Sequence, residues 1–100
     1  MPLLPIVECL QGAADDRARA RWLLIAPTSI FLHEEQHVRR ILRAAAFFQG
    51  VEALDIELAV LLAVRDPMTG DVPANLRELR NQSRSQLMIT AGIEPLEAAR

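Results

Sequence analysis

The chain has 100 residues, 51% of them apolar and only 4% aromatic, with 13 acidic against 11 basic residues and a formal charge of −2. That length fits one domain, residues 1–100, with a thin stability margin; the apolar content excludes a disordered chain, and the charge balance lacks the basic excess of nucleic-acid-binding domains. Every basic residue is arginine, which reads as a bacterial-like, GC-rich coding bias, and the single Cys9 excludes an internal disulfide or a cysteine zinc site.

Residues 2–12 read as an extended lead-in or a short strand over Ile6–Leu10, stopped at Gly12. Asp15 or Asp16 then caps a helix over Arg17–Ala26 that Pro27 ends. Trp22–Ile25 also suits a buried strand, so an α+β fold with strands in residues 1–26 stands as the alternative to an all-α one. Thr28 or Ser29 caps the next helix, which runs to Gln49 with Gly50 as its stop. Its apolar face gathers Ile30, Phe31, Val38, Ile41, Leu42, Ala45 and Phe48, opposite Gln36, Arg39, Arg40 and Arg43.

A third helix is expected over Val51–Arg65, ended by Asp66-Pro67. From Leu58 to Val64 it is apolar on every side, the pattern of a helix at the centre of a fold or in an oligomer interface. Met68–Asp71 reads as a turn, and Asp71 caps a fourth helix with Pro73 in its first turn. That helix reaches Leu79 and weakens across Asn81–Gln86, where no apolar stripe survives; Leu87–Ile89 forms a short segment ending near Gly92, and Pro95 starts a last turn over Leu96–Arg100. The expected architecture is a compact all-α bundle of about four helices. No apolar run reaches the roughly 18 residues of a membrane span, and Met1–Pro5 lacks the basic region of a signal peptide. A cytoplasmic protein without membrane contact is expected.

One string can carry chemistry. His33-Glu34-Glu35-Gln36-His37 spells H-E-x-x-H, which on a continuous helix sets two imidazoles on one face with Glu34 beside them. Glu52, Asp55 and Glu57 on the following helix are the candidates for a third ligand. In this arrangement the chain resembles the gluzincin metallopeptidases, whose H-E-x-x-H helix is followed by a second helix donating a glutamate. The resemblance implies zinc on His33, His37 and Glu57, with Glu34 as general base of a zinc-dependent hydrolase. Separately, Gln49-Gly50 to Asp66-Pro67 resembles the second helix of a tetratricopeptide unit, which implies a helical-hairpin binding module.

Two arginine strips, Arg39/Arg40/Arg43 and Arg77/Arg80/Arg84, are spaced to grip phosphates or an acidic partner, or to form solvated faces. Ser83 and Ser85 flank Arg84 in a polar stretch that offers a modification site or a plain loop, and Cys9 has no local signature of a nucleophile. The reading that best accounts for the whole chain needs no cofactor. It is a non-catalytic protein–protein interaction module, an adaptor, chaperone-like or assembly component, that forms a homo-oligomer through Val60, Leu61 and Val64. The zinc hydrolase and a nucleic-acid binder using the arginine strips are the alternatives.

Overall fold

The computed structural model describes residues 3–93, and these form six α-helices with no strand among the described residues. The α+β alternative is thereby overturned and the all-α expectation holds. The helices are α1 (Pro5–Gln11), α2 (Asp16–Ile25), α3 (Thr28–His33), α4 (Glu35–Ala44), α5 (Phe48–Leu62) and α6 (Ala74–Ala91). The last turn expected over Leu96–Arg100 lies outside the described residues.

Residues 5–11 are helical rather than extended because Pro5 occupies the first turn, where its missing N–H costs nothing. The indole of Trp22 then donates from Nε1 to the Ile6 carbonyl at 2.7 Å, fastening α1 to α2. Trp22 also meets Phe31 edge to face, with ring centroids 6.2 Å apart, the favoured geometry for an aromatic pair. Asp15 caps α2 as expected, its carboxylate accepting from the Ala18 N–H at 2.9 Å.

The single helix expected over 28–49 is three pieces. Glu34, at φ −120° and ψ 27°, separates α3 from α4, with no glycine or proline to mark the break. The second interruption has a clear cause. The Ala46 N–H donates to the Arg43 carbonyl and the Phe47 N–H to the Leu42 carbonyl, both at 2.9 Å, while Ala46 takes φ 57°. This is a Schellman stop, with buried Leu42 and Phe47 as its apolar contact. Gly50, expected to be the stop, lies within α5 instead. A Cβ there would meet the Phe47 ring at 2.7 Å and Leu23 Cδ1 at 3.1 Å, so glycine allows α5 to approach these side chains closely.

Asp71 does not cap α6; Pro73 stands at its cap position. The preceding loop is closed by Asp66, whose carboxylate accepts from the N–H groups of Met68 and Thr69 at 2.7 and 3.1 Å. α6 runs unbroken through Asn81–Gln86 to a left-handed Gly92. The missing apolar stripe did not end it, because arginine hydrogen bonds tie the helix to α2. Arg84 Nη2 donates to the Leu24 carbonyl near the end of α2, and the Nε atoms of Arg17 and Arg21 on α2 both donate to the Ala91 carbonyl of α6, each at 3.2 Å. The antiparallel helices α2 and α6 thus satisfy each other's C-terminal carbonyls, where cations are also favoured by the helix dipole.

One apolar cluster, including Leu10, Leu23, Phe31, Leu42, Leu54 and Leu87, joins all six helices. The molecule measures 42 × 40 × 20 Å. Its short dimension is about two helix diameters, so each helix keeps an outward face.

Candidate functional site

The H-E-x-x-H string does not lie on one helix. His33 is the last residue of α3 and exposed, Glu34 is the break, and His37 is in the first turn of α4, with Nδ1 3.6 Å from Glu34 Oε2. The hollow beside them is lined only by residues 32–37, so no other element supplies a ligand to it.

Each downstream carboxylate proposed as a third ligand is elsewhere. Asp55 accepts from Arg39 Nη2 at 2.7 Å, and Glu52 is exposed on α5. Glu57 is only 7% exposed and is held from α6: Arg80 Nε donates to Oε1 and Oε2 at 3.0 and 3.1 Å, and Arg84 Nη1 stands 3.8 Å from Oε1. A buried carboxylate needs such a counter-charge to offset its lost hydration. Glu57 is a link between α5 and α6. Among the described residues no group of three His, Cys, Asp or Glu side chains is gathered as a metal site.

The second arginine strip is therefore divided. Arg80 and Arg84 turn inward to Glu57, and Arg77 is exposed. Both partners were visible in the sequence, Glu57 as a candidate ligand and the arginines at helical spacing, but the pairing crosses the α5–α6 connection. In the first strip Arg39 bonds Glu35 and Asp55 together, and the hydrogen bond with Asp55 is the chief influence raising its guanidinium above the usual range. Arg40 and Arg43 are exposed and meet no carboxylate among the described residues.

An uncovered apolar stretch runs through the end of α5, the connecting loop and the start of α6, while Ile25, Phe48 and Ile89 are exposed elsewhere. The first part of the apolar α5 is covered: Val51, Ala53, Leu54 and Leu58 are buried. From Ala59 to Gln86 no residue is buried, although the stretch carries Val60, Leu61, Leu62, Val64, Met68, Val72, Leu76 and Leu79. Val60 and Leu61 are half-buried, while Leu62, Val64 and Met68 are 68%, 89% and 90% exposed. Val64, expected on the third helix, lies just past its end at Leu62. Sequence periodicity marked the apolar run but missed Met68 in the following loop and Leu79 on α6, both exposed.

Cys9 is exposed on α1, Ser83 is half-buried and Ser85 exposed on α6. No helix among the described residues is long and apolar enough to cross a membrane. No family model, curated protein or solved structure matches the chain.

Proposed function

We propose that this chain is a non-catalytic helical interaction module, of the adaptor, chaperone-like or assembly kind, that pairs with a second copy through the end of its α5–α6 hairpin. The observation that carries the reading is the run from Ala59 to Gln86, rich in apolar side chains and with none of them buried. A single chain leaves Leu62, Val64, Met68 and Leu79 in water, and exposed apolar groups concentrated at one end of a molecule mark a contact surface.

A second copy fits because the charges around this end are of both signs. Arg65 and Arg77 stand among Asp66, Asp71 and Glu78, so a two-fold pairing can set opposite charges against each other. Burying a large apolar side chain contributes about 1.5–3 kcal/mol, and association costs on the order of 4–15 kcal/mol. Four such side chains per copy, eight across a two-fold pair, are enough to offset that cost.

Sedimentation velocity from low to high micromolar concentration tests this. The native chain is expected to show a rising sedimentation coefficient, and the triple variant Leu62→Ser, Val64→Ser, Met68→Ser to stay monomeric with the same helical circular dichroism. A native monomer across the whole range, or equal association of the variant, overturns the proposal.

A further inference from the structure

We propose that the outer face of α4 is a separate docking surface for an acidic, amphipathic segment of a partner polypeptide. Two adjoining hollows open there. One is lined by Gln36, Arg39, Arg40, Arg43 and Ala44, and the other shares Arg40 and Ala44 and adds Gln11, Arg19, Ile41 and Ala45. Their walls hold four arginines and no carboxylate, in a chain whose net charge is −2. The first hollow lies on α4 alone, and the second joins α4 to Gln11 of α1 and Arg19 of α2.

Two of these arginines are already engaged, Arg39 with Glu35 and Asp55 and Arg19 with Asp16. Arg40 and Arg43 are not, among the described residues, and lie three positions apart on α4, where like charges are neighbours and repel. A carboxylate placed between them relieves that repulsion and gains charge-assisted hydrogen bonds. Ile41, Ala44 and Ala45 provide an aliphatic floor for apolar side chains of the same segment. No aromatic side chain lines either hollow, so the stacking platform that single-stranded nucleic acids use is missing. α4 has 10 residues, about 15 Å of helix, enough to match two or three turns of a partner.

The probe is a fluorescein-labelled amphipathic peptide of glutamate, leucine and alanine, followed by anisotropy against the full chain. A length-matched peptide with lysine for every glutamate and a mixed-sequence single-stranded oligonucleotide are measured beside it. The acidic peptide is expected to bind, to weaken as salt rises from about 0.05 to 0.3 M, and to lose at least about tenfold in affinity in Arg40→Glu/Arg43→Glu. Ile89→Glu, on the exposed side of α6 and outside both hollows, is expected to change nothing. If circular dichroism shows that the double reversal unfolds the chain, Arg40→Gln/Arg43→Gln makes the same comparison. No binding of the acidic peptide, binding indifferent to the Arg40 and Arg43 changes, or equal or tighter binding of the oligonucleotide overturns the inference.

Discussion

Arg80 on α6 presents its Nε to both carboxylate oxygens of Glu57 on α5, at 3.0 and 3.1 Å, and Glu57 is the one buried charged residue among those described. The two partners differ in what their removal leaves behind. Without Arg80 the carboxylate stays buried, with Arg84 at 3.8 Å as its remaining counter-charge. Without Glu57 both arginines, each about one-third exposed, reach water. Arg80→Ala is therefore expected to cost about 1–3 kcal/mol, and Glu57→Leu to be close to neutral. Urea unfolding of both variants checks this; a Glu57→Leu loss as large as that of Arg80→Ala contradicts the argument.

The turn between α4 and α5 offers a paired prediction. Ala46 occupies a left-handed conformation that a Cβ disfavours by roughly 1–2 kcal/mol, so Ala46→Gly is expected to stabilise the fold by about 1 kcal/mol. Four positions on, Gly50→Ala drives a methyl group toward the Phe47 ring and is expected to destabilise by about 1–3 kcal/mol. Thermal melts of the two variants should shift in opposite directions. Equal shifts of the same sign would refute the assignment of stop and close approach.

Trp22→Phe keeps most of the apolar volume but deletes the Nε1 hydrogen bond to the Ile6 carbonyl. The global cost is expected to be about 1 kcal/mol, and the local one larger. Amide exchange should accelerate most in α1, at Val7 and Leu10, because that bond ties the seven-residue helix down. Exchange that rises evenly across all helices would show that α1 does not depend on it.

Glu57 is held by Arg80, away from the hollow that His33 and His37 share, and this gives a metal prediction. Added zinc is expected to leave the melting temperature of the native chain and of His33→Ala/His37→Ala alike, because two surface histidines across a helix break do not make a closed site. One zinc per native chain, raising the melting temperature and lost in the double variant, would favour the hydrolase reading.

Much of the helical content was legible from local signals. Asp15 as a cap, Pro27 as a boundary and the apolar faces of residues 28–49 and 51–64 each act within a turn or two of themselves. The breaks were less legible. The stop at Ala46 carries no glycine, since its left-handed residue is fixed by the Schellman bonds and by burial of Phe47 beneath α5. Gly50, which looks like a stop, answers instead to the nearness of Phe47 and Leu23.

What the sequence by itself determined is the class of the molecule: a small all-α chain with alanine- and leucine-rich amphipathic segments, whose periodicity depends only on neighbours three and four positions apart. Tertiary structure decided which charges are spent and which apolar groups stay uncovered. Glu57 faces Arg80 from 23 positions away, Arg84 reaches across 60 positions to Leu24, and the hairpin carries Leu62, Val64 and Met68 beyond the core. Those relations depend on how helices meet, and helical periodicity says which face is apolar without saying what covers it.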